Sequence, residues 1–224
     1  MAKWLRELEQ WELDELPVFP LPQTALLPGA KLPLHLFEPR YRLMIEDCID
    51  RGPTAIAVAM LKPGWELQYE ARPPVRRVAG VGRIVAHHAL EDGTHDIVLE
   101  GIGRVELREL PVDGLPYRRA RSKLLRDHGE PTASEFAGLI ACASTVAISI
   151  QRTHPDFSLG VLPDDGPGRV VDVIADRFIA DPVLRQRLVE TLDVGERVEL
   201  VTEAVGGLLA VSFASAPQRR QWVD

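Results

Sequence analysis

Two cysteines and an aromatic content of 6% are the first shortages in this chain of 224 residues, and its 26 basic side chains include only four lysines. Cys48 falls in an amphipathic stretch and Cys142 in an apolar run, so two buried free thiols are expected and a disulfide framework is not. No Gly-Lys dipeptide occurs. A phosphate-binding loop, which needs that lysine beside cradling backbone amides, is therefore missing. No apolar stretch follows a basic start and no run reaches the length of a bilayer span, so the expectation is a soluble, cytoplasmic protein without membrane contact.

Catalytic and metal constellations are equally scarce. Ser122 and Lys123 are neighbours on a predicted strand and point to opposite faces, which rules them out as nucleophile and base. His87 and His88 diverge for the same reason, and His35, His95, His128 and His154 fall in separate segments without ligand spacing. Asp164-Asp165 reads as a solvated turn. No catalytic residue, metal ligand or cofactor is expected. The net charge of -7 makes the whole molecule a poor polyanion binder, yet residues 71–128 carry 11 basic and 8 acidic side chains. Arg72, Arg76, Arg77, Arg83, Arg118, Arg119, Arg121 and Lys123 form the strip to test for an RNA footprint. Aromatic partners for base stacking are few there.

What the chain has in abundance is proline in register with leucine. Leu16-Pro17, Leu21-Pro22, Leu27-Pro28 and Leu32-Pro33 keep each leucine out of the helical region, because the proline ring clashes with the preceding backbone. The segment 16–41 must run extended. Pro28-Gly29 marks a turn between the apolar runs Val18 to Leu21 and Leu32 to Phe37. Pro39 suits the first turn of a helix carrying Tyr41, Met44, Ile45, Cys48 and Ile49 on one face. Before it, Trp4, Leu8 and Trp11 share a helical face, expected to dock as a short helix.

The Ala- and Val-rich run Thr54 to Leu61 reads as a fully buried strand. Val78 to Ala89 is a strand, Asp92-Gly93 a hairpin turn, and Thr94 to Glu100, Arg104 to Leu110 and Tyr117 to Arg126 three more strands. From about Pro131 the pattern turns helical, with helices over 131–150, 169–179, 182–192 and from Asp193 towards Ala210. Asp181-Pro182 and the Asp193/Glu196 pair are the start signals of the last two.

Several of these pieces resemble one known family. Phe19-Pro20, Leu27-Pro28-Gly29, Pro33-Leu34 and Phe37-Glu38-Pro39-Arg40-Tyr41 are similar to the opening signature of the Lon N-terminal domain, the substrate-binding domain of ATP-dependent Lon proteases. Gly80-Val81-Gly82-Arg83-Ile84, Asp92-Gly93-Thr94 and Leu99-Glu100-Gly101-Ile102-Gly103-Arg104-Val105 resemble its second signature. Val170 to Ala175 and Arg185 to Glu190 resemble its helical half, so the likeness covers about Leu16 to Leu209. The expectation is a stand-alone domain of this kind, since the chain stops before an ATPase or peptidase domain could fit.

The fold expected is α+β: a mostly antiparallel, barrel-like sheet over 1–128, which the resemblance implies is PUA-like, a helical bundle over 129–212, and a tail over 213–224. The function expected is non-catalytic binding of unfolded polypeptide or a partner protein, using exposed apolar surface in the crease between the two lobes, supplemented by sheet edges. RNA binding through the basic middle is the alternative. Candidate binding residues are Glu38, Arg40, Tyr41, Arg76, Arg77, Arg119 and Arg121. Pro20, Pro28, Gly29 and Pro33 are expected to shape the strand-turn-strand path, and Gly80, Gly82, Gly101 and Gly103 to admit close backbone approach.

Overall fold

The computed structural model describes residues 8–68, 72–112, 114–162 and 164–214. Trp4 and all but two residues of the 213–224 tail lie outside them. The chain divides into two compact units, the described part of 1–128 with Ala180–Leu192, and Gly129–Ile179 with the described residues from Asp193 onward.

In the first unit the proline-bearing segment gives strand β1 (Leu16–Leu21) and strand β2 (Lys31–Leu36). Between them, the turn Leu27 to Ala30 places Pro28 second and Gly29, at φ 81°, third, closed by Ala30 N donating to Leu27 O at 3.1 Å. Helix α2 (Pro39–Asp50) starts on Pro39 and buries Tyr41, Met44, Ile45 and Cys48. Ile49, expected on the same face, is 44% exposed. The ring of Phe19 meets Tyr41 edge-on, with centroids 4.5 Å apart. Strand β3 (Ala55–Met60) is buried throughout, as its unbroken apolar run requires.

Strand β4 (Val78–Ala89) has the expected bounds, and the turn at Gly93, φ 78°, leads into β5. Where two strands were expected, 94–100 and 104–110, there is one, β5 (His95–Glu109). Gly101 and Gly103 do not end it; a register shift against Val81/Gly82 of β4 absorbs the irregularity instead. Strand β6 (Arg118–Leu125) completes the sheet. The order is β2-β5-β4-β3-β1-β6, with β5 also paired to β6, so β5, β4, β3, β1 and β6 close a barrel and β2 lies outside it. Among the described strands only the β1–β3 pairing is parallel. One edge of β5 is shared: His95–Glu100 pair with β2 and Arg104–Glu109 with β6. The barrel interior holds Leu16, Val18, Val81 and Val105 beside Ala55, Ala57, Ala59, Ala79 and Ala120. Small residues are needed where so few strands close.

Helix α1 (Gln10–Asp14) buries Glu12 and Leu13. Leu8, which precedes the helix, packs against the core as expected, while Trp11 is 48% exposed and Leu13 is buried instead. Helix α5 (Pro182–Glu190) starts on Asp181, whose side chain accepts from Val183 N and Leu184 N. It belongs with the barrel, outside the helical lobe that sequence boundaries drew over 129–212. The reason is polar as well as apolar. Gln186 Nε2 donates to Val78 O at 2.9 Å, Arg104 Nη2 to Leu188 O at 3.4 Å and Arg185 Nε to Ala25 O at 3.4 Å. Arg104 is accordingly only 3% exposed.

The second unit comprises α3 (Ala133–Gln151), α4 (Pro167–Phe178) and α6 (Val194–Ala214). Thr132 and Glu135 form a reciprocal capping box at the start of α3, and Asp193 Oδ1 accepts from Glu196 N at 3.0 Å before α6. Arg197 of α6 and Asp172 of α4 meet at 3.5 Å with both side chains buried. Helix α3 corrects one expectation: with Glu135 its only charged residue, it is long and apolar enough to cross a membrane by length and composition. Cys48 is buried and Cys142 only partly so; both are free thiols.

Candidate functional site

The first unit carries the surfaces that resemble binding sites. Strand β2 ends the sheet, so one side of its backbone has no strand partner among the described residues. Registers across β2, β5 and β4 build two rows on one face: Pro33, Val98 and Ala86 form an apolar row, and His35, Asp96 and His88 a polar row beside it. These residues, with Leu34 and His87, line a shallow hollow of about 540 Å3. His35 Nδ1 lies 2.7 Å from Asp96 Oδ1, and the ring of Phe37, 64% exposed, stacks on His35 at 6.2 Å. Nothing in the sequence spacing pointed to this face, because it is assembled from registers between distant strands.

The histidines are less scattered than expected. His87 and His95 share a hydrogen bond at 2.9 Å between Nε2 and Nδ1, with stacked rings 5.2 Å apart. Partial desolvation, and after it the neighbouring His95 and His88, hold His87 below the ordinary imidazole value. Among the described residues no group of three or more His, Cys, Asp or Glu side chains is arranged to hold a metal ion.

Of the expected site residues, Glu38, Arg40 and Tyr41 come together. Glu38 caps nothing with its side chain; it binds Arg40, whose Nη2 is 2.6 Å and Nε 2.9 Å from Oε2. The Arg40 guanidinium lies over the Tyr41 ring, 4.7 Å from its centre. Arg40 and Tyr41 share a hollow of about 290 Å3 with Arg72 and Arg118. Burial lowers the Arg118 pKa, Glu109 opposes the shift, and Arg72 adds to it.

The basic strip is dispersed. Arg83 is buried against Glu12, Arg118 meets Glu109 at 3.5 Å, Arg119 binds Glu15, and Arg76 is half-buried beside β3, its N donating to Met60 O at 2.7 Å. Arg77 and Arg121 do share a groove, of about 600 Å3, and its lining adds Arg108 and Arg126, which the sequence reading did not single out. Their grouping depends on the β5–β6 register, which no local pattern reveals.

Around the signature glycines the room for a side chain differs from one position to the next. The loop after β1 crosses β4 and β5 so closely that a methyl group at Gly80 would collide with the Leu26 carbonyl, and one at Gly101 with the Leu27 carbonyl. At Gly103 the nearest atom to such a methyl, Leu124 Cδ1, is 3.4 Å away, an ordinary contact.

A family model described as the ATP-dependent protease La (LON) substrate-binding domain matches residues 15–206. The chain is 24% identical over 212 residues to the Lon protease of Methylocella silvestris, covering 93% of this chain and 26% of that protein. It is 29% identical over 191 residues to Lon protease 2 of Herpetosiphon aurantiacus, covering 82% and 23%. The chain thus spans about a quarter of the length of these relatives. Among solved structures, a Lon N-terminal domain protein from Xanthomonas campestris superposes with a TM-score of 0.61 at 23% identity, covering 88% of this chain and 97% of that one. The N-terminal domain of the Mycobacterium avium complex Lon protease gives 0.63 at 18%, covering 86% and 98%.

Proposed function

The chain belongs to the ATP-dependent protease La (LON) substrate-binding domain family, and from that premise we propose that it is a cytoplasmic, non-catalytic module that captures extended polypeptide along the outer edge of β2. The observation that carries the reading is the pairing of an open strand edge with an apolar row, Pro33, Val98 and Ala86, in the adjoining hollow. An extended peptide adds to such an edge through main-chain hydrogen bonds and places alternate side chains on the neighbouring face. Phe37 and Leu34 supply the apolar contact; Pro33, lacking an N–H, removes one donor and guards the edge against pairing between copies. Unfolded clients offer long stretches of free backbone for such pairing, whereas folded proteins expose little beyond short, protected edges.

The test is fluorescence anisotropy with a permanently unfolded, carboxymethylated protein as ligand. Binding at micromolar protein concentration is expected, and L34D combined with F37D should weaken it at least tenfold, about 1.4 kcal/mol. Absence of binding, or binding indifferent to both substitutions, would overturn the proposal.

A further inference from the structure

Strands β5 and β6 present cations to each other in a way that costs stability. Arg108 of β5 is in register with Arg121 of β6, and like charges directly opposite on adjacent strands repel. One pair along, Glu106 faces Lys123, but Glu106 is engaged by Arg77, whose Nε is 3.1 Å from its Oε1. Asp14 approaches Arg121 at 3.8 Å, with the same oxygen accepting from Gln10 Nε2 at 3.1 Å. Arg126, just past the end of β6, adds a fifth cation to the same groove of about 600 Å3, in which Glu106 is the one acid among the lining residues. Three other arginines of this unit each meet a carboxylate: Arg83 with Glu12, Arg118 with Glu109 and Arg119 with Glu15. A chain of net charge -7 thus collects an excess of positive charge in one groove, five cations against Glu106 in the lining and Asp14 beside it.

The groove is not purely polar. Leu8, Leu13, Leu107 and Leu124 also line it, and no aromatic ring does. Bases would find no stacking platform there. Aliphatic side chains would find partners.

We propose that this groove binds an acidic polypeptide segment with interspersed aliphatic residues, its carboxylates meeting Arg108, Arg121, Lys123 and Arg126 and its aliphatic side chains meeting the leucines. The inference rests on the polypeptide-capture reading and adds to it the charge class of the client. Two pieces of one client can then be held at once, an extended apolar stretch on β2 and an acidic stretch here. The charges that meet are solvent-exposed, so added salt must screen the preference.

Three fluorescent ligands decide it: an unstructured peptide alternating Glu with Leu, its Gln-for-Glu counterpart, and a single-stranded RNA of similar length. Affinities are measured on the full chain, on R108E/R121E and on R108Q/R121Q, at about 0.05 M and 0.5 M salt. The glutamine double variant removes the repelling pair and should fold at least as stably as the parent. The acidic peptide should bind roughly tenfold more tightly than the neutral one at low salt, an advantage lost at high salt and in both double variants. Equal affinity for the two peptides, or an acidic preference that survives the substitutions, overturns this inference and leaves capture on β2 standing. RNA displacing the acidic peptide at lower concentration overturns it in favour of nucleic acid. Failure of both peptides to bind defeats this inference and the capture reading together; a preference intact in L34D/F37D, with neutral peptide unbound, defeats the β2 site alone.

Discussion

Arg83 Nη1 lies 3.1 Å from Glu12 Oε1, and the two side chains are 7% and 1% exposed. The same nitrogen donates to Thr54 Oγ1 at 3.0 Å, while Glu12 Oε2 accepts from Glu9 N at 2.9 Å. The pair therefore ties α1 to β4 and to the start of β3. Two buried charges gain little over apolar packing when both are present, but removing one strands the other. Glu12→Ala should lower unfolding free energy by about 3–5 kcal/mol, and Glu12→Leu with Arg83→Met should recover most of it. Urea titration measures both; a loss below about 1 kcal/mol for the single variant would mean the pair is hydrated in solution.

Gly80 and Gly101 lie where the Leu26-Leu27 backbone crosses the sheet, with no room for a methyl group. Gly29 N donates to Gly101 O and Gly101 N to Ala30 O, at 2.8 and 2.9 Å, so the loop is fastened at the point of closest approach. The obstacle is backbone, which cannot swing aside as a side chain can. Gly80→Ala and Gly101→Ala should each cost about 3 kcal/mol, whereas Gly103→Ala should change stability by less than about 1 kcal/mol. Thermal melts of the three variants would separate them; equal effects would refute the crossing.

Arg40 is held by Glu38 and stacked on Tyr41. That geometry suits an anchor for the start of α2 better than a ligand contact, since the guanidinium is already occupied. Arg40→Ala should lower stability by about 1 kcal/mol and leave the affinity for unfolded protein unchanged. Intact stability with weakened binding would reverse the assignment.

The fold was largely legible because its signals are local. Leucine-proline pairs, Pro39 and Asp181-Pro182 each act through neighbouring backbone, so element type followed directly. Two errors came from features that only the sheet decides. Gly101 and Gly103 look like a break, yet β5 runs through them because it exchanges one partner strand for another there. Helix α5 looks like part of a helical bundle, yet Gln186 and Arg185 fasten it to Val78 and Ala25. The candidate surfaces were harder still. Pro33, Val98 and Ala86, or Arg108 and Arg121, meet only through registers between strands far apart in sequence, and an exposed arginine reads the same whether or not a carboxylate faces it.

Cys48 and Tyr117 give the barrel unit an alkaline limit. Burial, and secondarily Asp47, pushes the Cys48 thiol up from 9.0 to about 12. Burial also raises the Tyr117 phenol, reinforced by its hydrogen bond to Asp47 at 2.9 Å and by that carboxylate's charge. In the unfolded chain both groups lose their protons near their ordinary values, 9.0 and 10.0, while the folded chain retains them. Above about pH 9 the unfolded state therefore binds fewer protons than the folded one, and stability falls as pH rises. For Cys48 that fall continues until the folded thiol itself ionises at about 12. Urea midpoints taken between about pH 8 and 11 should decline more gently in Cys48→Ala and in Tyr117→Phe than in the parent. The comparison is of slopes, so any loss of packing in the variants at neutral pH does not enter. Parallel declines in all three proteins would show that neither proton is held by the fold.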